Sequence, residues 1–253
     1  MTPATCGLIG LLREEYQRDL WGSLERLAQI GYGGLEGGEM LLAGDVAANR
    51  RRLADLGLAV WTVSASRESL RDDLDGVLAK AEALGSRRVS VWWGPAEARE
   101  QLARDAELYN AAGARLAAAG VRLCYHNHDH EFRASFDGLY ALDWLVAATD
   151  PAAVWFEIDV AWVTFGGEDP SRVLRRLAGR VPAIHVKDLW DLSERGRFTA
   201  VGTGVVDVAG AVGTALDLGI EQVVVEQDTL RDLSAWETVA VSYLNLKERG
   251  LVR

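Results

Sequence analysis

Two apolar rhythms alternate along this chain. Short runs rich in Val, Ile, Leu and aromatics read as strands, and longer runs with apolar side chains three and four apart read as helices. Strands are expected at 5–12, 33–36, 59–65, 87–93, from 121 into YHNH, and at 154–160, 183–187 and 222–227. Helices are expected at 19–30, 45–56, 70–84, 98–119, 138–148, from the Asp169-Pro170 start, and at 206–218 and 233–248. Gly31, Gly57, Gly85, Gly120 and Gly219 stand where the helices should stop. Asp169-Pro170 supplies an acidic N-cap followed by proline at the first helical position.

Eight strand–helix units predict a closed (β/α)₈ barrel, because eight parallel strands covered by helices leave no open edge. An open doubly wound sheet would need a ligand crevice at a strand-order switch, and no GxGxxG follows the first strand. The 253 residues, 49% of them hydrophobic, suit one domain over 1–253, with no linker or low-complexity tract.

The net charge of −10 argues against a nucleic-acid partner, which needs a basic face. The opening MTPATCGLIGLLREE has no basic leader segment, and no apolar run approaches the ~18 residues of a membrane span. Cys6 and Cys124 lie in apolar runs and read as buried free thiols. These features predict a cytoplasmic protein with a small-molecule partner, no membrane, and room for a homo-oligomer.

Chemistry concentrates where the strands end. Three of the four histidines fall in VRLCYHNHDHEF at 121–132, and the fourth, His185, ends AIHVKD. VWFEIDV ends near Asp159 and QVVVEQD near Glu226. Inward positions alternate along a barrel strand. His185 shares its parity with Lys187, and Glu157 with Asp159, while Phe156, Ile158, Ile184, Val186, Val223 and Val225 take the opposite one. So many buried charges need a counter-ion. Glu131, Asp159, His185 and Glu226 form an oxygen-rich set for one divalent cation: Mn²⁺ foremost, with Mg²⁺, Co²⁺, Fe²⁺ or Zn²⁺ as alternatives. A zinc site of the HxH kind at His126 and His128 is the competing reading. It lacks further histidines, so these two are assigned hydrogen bonds to substrate or to Glu131, and His130 to the loop surface. Lys187 is read as a substrate contact, or else an ion pair with Glu157 or Asp188. Trp162, with Trp61, Trp92, Trp93 and Trp190, is placed to cover a sugar face or to pack loops. Gly202-Thr203-Gly204 sits where barrels often hold phosphate, but an unphosphorylated ligand is preferred.

The ordered motifs YHNHDHEF, FEIDVAWVTFGGEDP, GRVPAIHVKD, VGTGVVD and VVVEQD resemble the sugar phosphate isomerase/epimerase family of the xylose isomerase-like TIM-barrel superfamily. That superfamily includes inosose dehydratase, ketose 3-epimerases and endonuclease IV relatives. The resemblance runs from Tyr125 to Asp228 and extends weakly to IGYGGLEG and LGLAVW. It implies a Glu, Asp, His, Glu metal set, carried here by Glu131, Asp159, His185 and Glu226, with the two glutamates as acid and base. The chain lacks the extra ligands of the endonucleases. The expected activity is a metal-dependent sugar isomerase or epimerase that abstracts a proton beside a carbonyl. Dehydration of a keto-sugar or inosose on the same site is the alternative, and a non-catalytic sugar-binding or partner subunit is the other.

Overall fold

The computed structural model describes residues 2–253. Eight parallel strands are β1 Thr5–Leu8, β2 Gly34–Glu36, β3 Ala59–Ala65, β4 Arg88–Val91, β5 Arg122–His126, β6 Val154–Asp159, β7 Ile184–Val186 and β8 Gln222–Val225. They close in sequence order, with β1 pairing both β2 and β8. The helices are α1 Arg13–Arg18, α2 Leu20–Ile30, α3 Val46–Asp55, α4 Arg67–Asp72, α5 Leu74–Leu84, α6 Arg99–Ala118, α7 Ala141–Ala148, α8 Val160–Phe165, α9 Pro170–Arg176, α10 Val208–Asp217 and α11 Ala235–Glu248.

The two parities of the strands separate as the sequence requires. Phe156, Ile158, Ile184, Val186, Val223 and Val225 are fully buried on the helix-facing side. Each such side chain contributes roughly 1.5–3 kcal/mol on burial. The other parity faces the axis. Gly7 pairs with Val224, Val224 with His185, His185 with Asp159, and His126 with Glu157.

Near the base, the axis is filled by Trp61. The β2–β3 register shifts between Leu35 and Glu36, which leaves Trp61 without a partner on β2. Its indole lies over Gly7 and Gly34, where a Cβ on either glycine would run into ring atoms. Trp61 therefore packs the lower barrel core and does not border the C-terminal strand ends.

Element ends differ from expectation where side-chain capping intervenes. The helix expected over 70–84 is broken at Asp73, whose backbone leaves the helical conformation and whose side chain accepts from the Gly76 N–H. β1 stops at Leu8, and α1 follows. The Asp137-Gly138 turn, with both φ positive, joins a small hairpin of Ser135–Phe136 and Leu139–Tyr140, so α7 starts later than 138. α8 starts immediately after β6 because the Asp159 side chain caps it. Cys6 and Cys124 are buried free thiols whose pKa values burial pushes up. Among the described residues no helix is long and apolar enough to cross a membrane.

Candidate active site

A cavity of about 620 Å³ opens at the C-terminal ends of the strands. Its lining includes Glu36, Thr62, Ser90, His126, Glu157, His185 and Glu226, with His128, Asp228, Arg13 and Trp92 completing part of the wall. Trp92 is 55% exposed and stands at the rim.

At and just behind the floor, one ligand atom from each of His126, Asp159, His185 and Glu226 lies within 4.8 Å of the other three. The barrel register brings them together: β5, β6 and β7 are neighbours, and Glu226 directly follows β8. Asp159 is divided between two tasks. Oδ1 accepts from the N–H groups of Ala161 and Trp162 at 3.0 Å, while Oδ2 takes no hydrogen bond. The Lys187 ammonium lies 3.2 Å from that Oδ2 and 3.1 Å from Glu226 Oε2, and donates to Asp228.

His185 joins two carboxylate groups. Nδ1 is 2.7 Å from Glu226 Oε2, and Nε2 is 2.8 Å from Glu36 Oε2 and 3.2 Å from Glu157 Oε2. Glu36 is held in turn by the Thr62 hydroxyl at 2.8 Å and by Arg88 at 3.5 Å, and Glu157 by the Ser90 hydroxyl at 2.9 Å. Burial opposes charge on His185, Lys187, Glu157 and Glu226, yet the mutual pairing dominates. Carboxylates of Glu157 and Glu36 raise His185 well above its usual pKa against burial. Asp159, Glu226 and Asp228 likewise overcome burial to raise Lys187. Glu157 and Glu226 end below the usual carboxylate range despite desolvation, through His185 and Lys187 respectively. Desolvation, reinforced by His126 and Lys187, holds His128 down to about 2, so it stays neutral.

Several observations suit a divalent cation. Glu36, Glu157 and Asp159 are buried and Glu226 partly so, and these four carboxylates outnumber the cations among them, Lys187, Arg88 and His185. Asp159 Oδ2, His126 Nδ1 and Glu157 Oε1 are buried without hydrogen-bond partners. Two imidazoles and two carboxylates are a fitting donor set for such an ion.

Of the four residues expected to meet, Asp159, His185 and Glu226 converge and Glu131 does not. Glu131 sits in the short 3₁₀ turn His130–Phe132, fully buried, accepting from Tyr125 Oη at 2.7 Å and from the His128 N–H at 2.9 Å. It does not line the cavity, and burial raises its pKa. β5 delivers His126 instead, because the strand ends there and the chain turns away before residue 131. His128 does line the cavity. His130 is half-buried rather than on the loop surface: its Nε2 meets Gly94 O at 2.8 Å. Lys187 is fully buried beneath the carboxylates, outside the cavity lining, and its partners are Asp159, Glu226 and Asp228 instead of Glu157 or Asp188. Trp162 is also buried, packed edge-on to Phe198 at 5.3 Å, with Arg195 over its ring at 4.4 Å. It too lies outside the lining.

The Gly202-Thr203-Gly204 loop is already filled by a carboxylate. Asp188 Oδ2 accepts from the N–H groups of Gly202 and Gly204, and Oδ1 from Val206, so no anion cradle is open there. Sequence reasoning missed Glu36. Its only signal was a lone charge closing the short strand in GGLEGG. Glu157 had the right parity but was read only as an ion-pair partner.

Residues 24–235 match the family model described as xylose isomerase-like TIM barrel. The chain belongs to the xylose isomerase-like TIM barrel family. Within it, the chain is similar to an inosose dehydratase of Geobacillus kaustophilus, 27% identical over 224 residues, 73% of this chain and 71% of that protein. An inosose dehydratase of Clostridium beijerinckii is 25% identical over 175 residues, 63% of this chain. The match spans about half, 54%, of that relative's length. A solved sugar phosphate isomerase/epimerase from Parabacteroides distasonis shares the fold, with TM-score 0.82, 24% identity, and coverage of 100% and 99% of the two chains.

Proposed function

We propose that this chain is a divalent-metal-dependent isomerase or epimerase that moves a proton beside the carbonyl of a small sugar, keto-sugar or cyclitol. The observation that carries the reading is the convergence of His126, His185 and Glu226, which line a sugar-sized cavity, with Asp159 buried directly behind them. These four would hold the ion, replacing the set that included Glu131. Bound there, the ion would supply Lewis acidity toward a substrate carbonyl and its neighbouring hydroxyl. The imidazole pair favours Fe²⁺, Co²⁺ or Zn²⁺ over Mg²⁺, which prefers oxygen; Mn²⁺, the ion expected from the sequence, rests on the two carboxylates.

The chain's own groups divide the remaining work. Glu157 and Glu226 stand on either side of β7 and both line the cavity. Glu157 keeps one oxygen unbonded. Both are held ionised by their cationic neighbours. They are the acid/base pair in this reading, with Glu157 in the place first given to Glu131. Neutral His128 orients a substrate hydroxyl. Lys187 fixes Asp159 and Glu226 from below without touching substrate. Glu36 accepts from His185 Nε2, which leaves Nδ1 directed toward the shared floor.

The second reading is dehydration, favoured by the relatives named inosose dehydratase. It begins with the same proton abstraction and differs in whether a β-hydroxyl leaves. Ketoses and inososes turned over in D₂O with Mn²⁺, followed by NMR, test both. An epimerase or isomerase should place deuterium at the new stereocentre or carbon. A dehydratase should release an unsaturated product. Turnover with no solvent label would exclude the carboxylate proton shuttle in favour of hydride transfer.

A further inference from the structure

The opposite mouth of the barrel carries a second depression, of about 400 Å³, lined by Ala59, Val60, Trp61, Gly85, Arg87, Arg88, Gly120, Arg122 and Gln222. These residues stand at the N-terminal ends of β3, β4, β5 and β8 and in the turns that enter β4 and β5. The lining holds three guanidinium groups and no carboxylate, in a chain whose net charge is −10.

The arginines are forced together by the sheet. Arg88 and Arg122 are direct partners in the β4–β5 ladder, and the Arg122 N–H donates to the Arg87 carbonyl at 2.9 Å. Like charges placed opposite one another destabilise a ladder. Arg88 is largely compensated. It is 8% exposed, it bonds Thr62 and Gln222, and it reaches Glu36. Arg87 and Arg122 are exposed and form no ion pair among the described residues; the Arg122 guanidinium rests on the Trp155 ring at 4.3 Å. The guanidinium of Arg50 lies against Gly85 beside them. Two uncompensated guanidinium groups on residues lining one depression, that of Arg122 held on an indole, can present the planar bidentate geometry that a phosphate group takes.

We infer that the N-terminal mouth of this barrel is a binding site for the phosphate of a small phosphorylated molecule, separate from the cavity at the other mouth. The inference does not depend on the proposed reaction. Arg87 and Arg122 would grip the phosphate, and Arg88 would form the floor beneath it.

Titration calorimetry with inorganic phosphate, at constant ionic strength with chloride as the balancing ion, tests this on the intact protein. One saturable site is expected. Arg87→Ala and Arg122→Ala should each weaken it about tenfold or more. Arg13→Ala, in the opposite cavity, should leave it unchanged. Phosphate should also raise the thermal midpoint of the parent but not of the Arg87→Ala/Arg122→Ala double variant. The site is overturned by an absence of saturable binding, or by binding that Arg13→Ala removes while the other variants keep it. It is also overturned if the arginine variants lose stability equally with and without phosphate, since the arginines would then serve only the C-terminal ends of α5 and α6.

Discussion

The two mouths of this barrel are built from the same strands and solve opposite problems. At the C-terminal mouth, inward positions carry His126, Glu157, Asp159 and His185, and a large cavity remains above them. Nearer the N-terminal mouth, Gly7 and Gly34 vacate the axis so that Trp61 can fill it. One end leaves polar atoms unsatisfied in a buried setting and the other packs an indole on backbone. The difference shows that stability and chemistry are separated along each strand, a division general to this architecture. Glu36 and Arg88 connect the two halves, since Arg88 rises from the base to Glu36, and Glu36 reaches His185.

Substitutions at the chemical end should affect function far more than folding. Glu226→Gln and Glu157→Gln should each cut turnover by ~10²–10⁴, the range for removing a general acid or base. Metal content measured by mass spectrometry on the same samples separates lost proton transfer from lost metal. Glu131→Gln should leave turnover and metal content near those of the parent. Equal losses at Glu131 would restore it to the machinery and break the contrast drawn here.

Next in size is the link between the halves. Glu36→Gln should weaken metal binding by ~10–100-fold, because His185 loses the carboxylate that fixes its Nε2 proton. The visible spectrum of the Co²⁺-substituted protein would report a changed coordination, which a general loss of stability would not produce. Chelation of the parent should lower its melting temperature, because the carboxylate cluster then lacks its counter-ion.

Changes at the packed end should do the reverse. Gly34→Ala should cost about 1–3 kcal/mol of stability by overpacking against Trp61, measured by denaturant unfolding. The metal affinity of the folded fraction should be unchanged. A loss of metal affinity greater than the loss of stability would show that the two ends are not independent.

The smallest effect expected is a pH dependence at Glu131. Its folded-state pKa is raised by burial above the ordinary 4.5. Its contribution to stability is therefore fully present below the unfolded value and is lost as pH rises through the folded value. Glu131→Gln cannot ionise, so its stability relative to the parent should improve as pH rises out of the acid range. A constant difference across pH would show that Tyr125 and the His128 N–H fully offset the buried charge.

The chain's periodicity alone determined eight strands, their closure and the helix-facing side of each, because burial of an apolar parity depends only on local alternation. The same parity argument located Asp159, His185 and Glu226, which sit on or directly beyond straight strands. It could not choose between His126 and Glu131. That choice depends on where β5 stops and how the next five residues turn, which neighbouring strands and the Tyr125 hydroxyl decide. Glu36 was hidden for a related reason: β2 is three residues long, and a register shift against β3 sets which way its glutamate points. Lys187 and the glycine loop at 202–204 had the chemistry of ligand contacts, but they spend it on Asp159, Glu226, Asp228 and Asp188. Only the tertiary structure could assign those partners, because a buried charge binds whichever opposite group the fold brings within about 3 Å, and sequence distance does not encode that proximity.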